Sequence, residues 1–123
     1  MARYVDGFVV PVPRKKLADY RRLAQKAGKV WRDHGALEYI ECVADDVKKG
    51  KWTSFPRSVK LKPGETVVFS WIVYKSRAHR DQVNAEVMAD PRISEMMDGR
   101  NAPFDGRRMI YGGFKSFVRG PQA

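Results

Sequence analysis

Metal-binding and cross-linking residues are scarce: Cys42 is the single cysteine, and His34 and His79 are the two histidines, in 123 residues. A lone thiol cannot close an internal disulfide, and two histidines far apart in sequence do not complete a zinc set of the usual spacing. No metal centre is expected. Long apolar runs are missing as well, since nowhere do about eighteen apolar residues follow one another, as a membrane-spanning helix requires. The opening MARYVDGFVVPVPRKK has no basic leader before its short apolar run, so no signal peptide is read. A soluble, cytoplasmic protein with no membrane contact is expected. Phosphate-cradling glycine loops, nucleophile elbows, repeats and low-complexity tracts are also lacking, which leaves the simple catalytic classes unsupported and no cofactor expected.

Basic residues, by contrast, are plentiful. The net charge is +10, and residues 1–62 carry 15 lysines and arginines against 7 acids, whereas residues 63–123 carry 9 against 7. Such a field favours anionic partners or a well-solvated surface. The size fits one domain spanning residues 1–123.

Trp31–Ala44, WRDHGALEYIECVA, is the stretch from which the rest is read. A basic amphipathic helix stops there on Gly35, which accepts the left-handed conformation of a helix end. Leu37, Tyr39, Glu41 and Val43 then alternate with Glu38, Ile40, Cys42 and Ala44, and apolar groups on both sides point to a sheet covered on both faces. Around this junction the spacing predicts a first strand from Arg3 to Val12, ended by Pro11 and Pro13, and a helix from about Lys15 to His34. The second strand should reach about Val47. An eighteen-residue loop, KKGKWTSFPRSVKLKPGE, leads to a third strand, Thr66–Tyr74. Ser76 caps a second helix ending near Asp90. A brief helix then carries Ile93, Met96 and Met97, a loop covers 98–106, and a last strand runs from Arg107 to about Val118.

This order predicts an α+β fold, the ferredoxin-like βαββαβ arrangement of a four-stranded antiparallel sheet with two helices on one face. Tyr4, Phe8, Phe69, Trp71, Met109 and Tyr111 are assigned to the opposite face. A patch of that size drives association, so a homodimer joined sheet to sheet is expected, closing a barrel.

Three runs, WRDHGALEYIECVADDV, TSFPRSVKLKPGETVVFSWIVYKSRAHRDQVNAEVMADPR and PFDGRRMIYGGFKSFV, resemble the YbaA-like family of small bacterial proteins, a domain of unknown function. The resemblance covers nearly the whole chain. It implies the dimeric α+β barrel architecture, similar in fold to cofactor-free quinone-forming monooxygenases, and it implies no activity, because the family has no established catalytic residues to carry over.

Candidate chemistry rests on carboxylates placed among apolar neighbours. Asp6 shares a strand face with Phe8, and Glu41 with Tyr39. A buried carboxylate must be paired, solvated in a cavity or protonated, so these two either border a pocket or are matched by arginines. His34 is read as a general base beside Tyr39 and Glu41 or as a helix-end residue serving the dipole. Phe8, Tyr39, Phe69, Trp71, Met109 and Tyr111 are the expected lining of a cavity for a small aromatic or acidic metabolite, with cofactor-free oxygenase or isomerase chemistry as the companion reading. His79 and Cys42 are read as packing residues. Two alternatives stand beside it. One is RNA binding by Arg21, Arg22, Lys26, Lys29, Lys48, Lys49 and Lys51 on the first helix and the long loop. The other is a purely structural homodimer without a ligand.

Overall fold

A computed structural model describes residues 2–96 and 102–121. Four strands form one antiparallel sheet: β1 (Tyr4–Pro13), β2 (Glu38–Val43), β3 (Glu65–Tyr74) and β4 (Ile110–Lys115), in the spatial order β2-β3-β1-β4. The long helices α1 (Leu17–Asp33) and α3 (Arg77–Met88) pack on one face, with the short α4 (Pro91–Met96) beside them. The predicted βαββαβ order therefore holds. β3, the segment richest in β-branched and aromatic residues, lies inside the sheet, between β2 and β1.

Val10, Val12, Val68 and Tyr20 form one buried cluster beneath α1, and Val30, Ile72, Tyr74, Val83, Val87 and Ile93 form another that reaches α3 and α4. Each long helix has a cause in sequence. The apolar stripe of α1 faces the sheet while its lysines and arginines face outward, and the Ser76 hydroxyl accepts the His79 N–H at 3.1 Å to cap α3.

The structure departs from expectation in several places. β1 continues through Pro11 to Pro13. It pairs with β4 only as far as Val9, so both prolines lie where the strand has one neighbour and a missing N–H costs nothing. β2 stops at Val43, before the Asp45-Asp46 pair, instead of reaching Val47. β4 starts at Ile110, because Gly106–Arg108 forms a 3-10 turn capped by the Asp105 carboxylate. The long loop contains a helical turn, α2 (Phe55–Ser58), capped by Ser54. Met97 and residues 98–101 lie outside the described residues.

The largest correction concerns the faces. Register places Glu41, Ser70, Phe8 and Tyr111 in one row across the sheet, and Tyr4 and Phe8 pack into the helix-side core, as does Met109. Tyr4, Phe8, Met109 and Tyr111 thus belong to the helix side, not to the open side. Only Phe69 and Trp71 of the six occupy the open face, where Phe55 of α2 packs edge-on against Phe69 at 5.6 Å. A two-residue period separates the faces but does not say which one the helices cover when both are apolar. Cys42 is exposed on this open face, since β2 is an edge strand. Val5, Val9 and Ile40 share that face, with Ile110 and Phe114 exposed beside them.

Candidate functional site

Two carboxylates lie between the sheet and the helices, and their surroundings differ. Glu41 projects from β2 toward α1, in the same row of alternation as Tyr39 and Val43. Because β2 is an edge strand, α1 crosses it beside solvent and leaves a cleft of about 740 Å³, lined by Leu17, Tyr20, Arg21, Ala24, Tyr39 and Glu41 among others. Two phenols converge on the carboxylate. Tyr39 donates its O–H to Oε2 at 2.6 Å, and Tyr20, from the first turn of α1, donates to Oε1. Burial, reinforced by the Glu41 charge, pushes both phenols far above their ordinary ionisation range, so they stay neutral donors. Gly28 makes this approach feasible. A Cβ there would lie 2.8 Å from the Tyr39 Cδ1, so the ring rests against bare helix backbone. Trp31, one turn further along α1, packs tilted against the same ring, with centroids 6.0 Å apart.

Asp6 is 6% exposed under α3. The Arg80 guanidinium donates to it at 2.7 Å, lies 4.9 Å over the Tyr4 ring, and also meets Asp81 at 2.7 Å. Burial pushes the Asp6 carboxyl up, and Arg80 only partly offsets this. Beside it, the Trp31 indole and the Tyr74 hydroxyl both donate to the Asn84 side-chain oxygen at 3.1 Å. Asp6 is therefore the arginine-matched carboxylate, and Glu41 the one bordering a cleft.

His34 belongs to neither. It ends α1, and its Nε2 lies 2.8 Å from Asp90 while Nδ1 faces Glu86 at 3.7 Å. Arg92, and after it His34, hold the Asp90 carboxyl well below the usual carboxylate range. The histidine thus ties the end of α1 to the corner between α3 and α4, which corrects its placement as a base beside Glu41. His79 accepts the Lys75 N–H at 3.0 Å and closes the turn before α3.

Of the expected site residues, the structure brings Tyr39 and Glu41 together, with Arg21 from the basic face at the same cleft. Phe8 and Tyr111 stack at 6.4 Å on β1 and β4, two and three strands away from β2, and Phe69 and Trp71 are on the opposite side of the sheet. Among the remaining basic candidates, Arg22 pairs with Asp19 and Lys29 with Asp33 at 3.4 Å. Lys26, Lys48, Lys49 and Lys51 are exposed. Tyr20, Gly28 and Arg80 were not singled out by sequence reasoning, although a tyrosine inside an apolar stripe and a glycine in mid-helix are signals that a hydroxyl needs a partner and a ring a place. Among the described residues no group of three or more His, Cys, Asp and Glu could hold a metal ion, and no helix is long and apolar enough to cross a membrane.

A four-stranded antiparallel sheet with its helices on one side is the subunit fold of the dimeric α+β barrel class. Solved structures with this fold include a NIPSNAP family protein with unknown function from Agrobacterium tumefaciens, at a TM-score of 0.62 and 12% identity over 97% of this chain and 92% of that one. Another is a variant of SnoaB, a cofactor-independent oxygenase from Streptomyces nogalater, at 0.51 and 15% over 98% and 97%. These likenesses concern the fold. Residues 3–106 match the model of a protein family of unknown function, DUF1428, and the chain belongs to that family. It is 51% identical over 116 residues to the uncharacterized protein YbaA of Escherichia coli K12, covering 94% of this chain and 97% of that protein, and equally similar to YbaA of Shigella flexneri.

Proposed function

We propose that this protein is a homodimer, joined through the open sheet face, whose subunits each bind a small hydroxylated aromatic metabolite in the α1–β2 cleft, with Glu41 as proton acceptor. The observation that carries this reading is a carboxylate with no cationic partner among the described residues, held by two neutral phenols at the wall of a cleft sized for a small molecule. A ligand hydroxyl or activated C–H would give its proton to Glu41; the neutral carboxyl then holds the Tyr20 and Tyr39 O–H groups less strongly, and they would turn from it to donate to the oxyanion that remains. Return of the proton to another carbon completes an isomerisation. The same electron-rich anion is the species that reacts with dioxygen in cofactor-free oxygenation, and here dioxygen would be the second substrate. The negative Glu41 favours a hydroxyl over a carboxylate on the ligand. Phe69, Trp71 and Ile40 on the open face are the apolar surface that a second copy would cover.

Thermal-shift titration tests this with 2-naphthol and 2-naphthoate as probes. The expected result is a rise in Tm with 2-naphthol that Glu41→Gln removes, and a smaller rise with 2-naphthoate. Equal shifts in the wild type and the variant would overturn it. One observation favours nucleic acid as a second reading: Trp52 is 93% exposed among Lys48, Lys49 and Lys51. Steeply salt-dependent binding of short RNA, weakened by Trp52→Ala, would support it, and no binding at low salt would reject it.

A further inference from the structure

β4 ends at Lys115, short of the expected Val118, and the carboxyl-terminal arm, residues 116–121, follows it without regular secondary structure. The Ser116 N–H still donates to the Arg3 carbonyl at 2.9 Å, and beyond it Phe117 and Val118 stand 94% and 76% exposed. Continuing the alternation of β4 sends Phe117 to the helix side and Val118 to the open side. Two large apolar groups in succession, one aimed at each face, are what a strand needs when both of its faces are to be buried. At the other edge of the sheet, β2 has no neighbour on its outer side among the described residues. Its charge is also unusual. From Ala36 to Val47 the chain holds four acids, Glu38, Glu41, Asp45 and Asp46, and no lysine or arginine, in a protein of net charge +10. The arm segment Lys115–Arg119 has two bases and no acid.

We infer that the arm of a second copy pairs antiparallel with the outer edge of β2 and sets Phe117 at the mouth of the cleft beside Glu41, an arrangement that rests on the homodimer proposed above. The register follows from barrel geometry. Two facing four-stranded sheets related by a two-fold axis close when β4 of one meets β2 of the other, and this removes both free edges. In an eight-stranded barrel the strands tilt by about 35–45°. With strands about 4.8 Å apart and residues about 3.3 Å apart, half a circuit displaces the pairing by about four to six residues. The right-handed coil general to strands and the right-handed sense general to β-α-β crossovers direct that displacement toward the end of β4. Within its own sheet Glu41 is level with Tyr111. Across the dimer it is therefore level with Lys115 to Phe117, and Lys115 and Arg119 run along the acidic strand. Phe117 then walls the ligand cleft and Val118 joins the apolar interior between the sheets, so each site is completed by the other subunit.

The single native cysteine provides the test. Cys42 lies on the open side of β2, and positions 114, 116 and 118 lie on the same side of the arriving strand. Phe114→Cys, Ser116→Cys and Val118→Cys are each oxidised mildly and run on non-reducing gels, with Lys26→Cys on the outer face of α1 as control. The expected result is a disulfide-linked dimer from at least one of the three, abolished by adding Cys42→Ser, and none from the control. Light scattering on the wild type separates the two ways of failing. A dimer in which none of the three cross-links overturns the arm pairing and leaves the dimer standing, and a monomer overturns both.

Discussion

Asp6 and Glu41 stand on the same side of one sheet, two strands apart, and the chain treats them in opposite ways. Asp6 lies in the sheet interior on β1 and meets a guanidinium already shared with Asp81 and stacked on Tyr4. Glu41 lies on the edge strand, where the helix leaves a cleft, and meets two uncharged phenols. A buried ion pair fixes a helix to a sheet at the expense of desolvation. A carboxylate held by neutral donors keeps its charge available to something that enters. A carboxylate's partner thus tells more than its burial: an arginine marks a structural tie, whereas a pair of phenols beside open space is the arrangement on which the proposed ligand site rests.

The difference can be pressed hardest at Arg80. Arg80→Met leaves Asp6 buried without a counter-charge and should destabilise the fold by about 3 kcal/mol, at the lower end of what breaking a buried pair costs because Arg80 keeps some exposure. Urea unfolding measures this. Adding Asp6→Leu should recover much of the loss, and failure to recover would mean that Asp6 does more than pair.

On the Glu41 side the effects on stability are smaller and those on binding larger. Tyr39→Phe removes a hydrogen bond to a carboxylate and should cost about 1–2 kcal/mol. Gly28→Ala gains roughly 1 kcal/mol of helix propensity but drives a methyl into the Tyr39 ring, a clash of about 1–3 kcal/mol. A net loss near 1 kcal/mol is expected, together with a weaker 2-naphthol shift, and an unchanged shift would show that the ring position is immaterial. Glu41→Gln sets an NH2 donor against one of the two phenol donors and should also cost about 1–2 kcal/mol, while removing ligand binding.

The smallest effect concerns acid. Asp90 titrates lower in the folded chain than its ordinary value of 3.8, held there by Arg92 and His34. Its contribution to stability is therefore full above that ordinary value and is lost as pH falls toward the lower folded value. Tm measured from pH 6 downward should fall less steeply in Asp90→Asn than in the wild type. Parallel curves would show that the His34–Asp90–Arg92 corner carries no pH-dependent stability.

Much of this was legible in the chain itself. The order of elements, the interior position of β3, the helix end at Gly35 and the pairing of Glu41 with Tyr39 on one face all follow from period and cap residues. Which face of the sheet the helices cover did not follow, because Val5, Val9, Phe69 and Trp71 on one side are as apolar as Tyr4, Phe8, Val10 and Ile72 on the other. Nor did the partners follow. Arg80 is 74 residues from Asp6 and Tyr20 is 21 from Glu41, and nothing local links them. The helical turn at Phe55–Ser58 was signalled by Ser54 and Pro56 but hidden by its brevity.

Calorimetric titration of 2-naphthol into the wild type, Glu41→Gln and Asp6→Asn tests the contrast between the two carboxylates most directly. Saturable binding at one site per subunit in the wild type and in Asp6→Asn, with none in Glu41→Gln, is the predicted result. Binding that survives Glu41→Gln and disappears in a folded Asp6→Asn, or equal binding by all three, would contradict it.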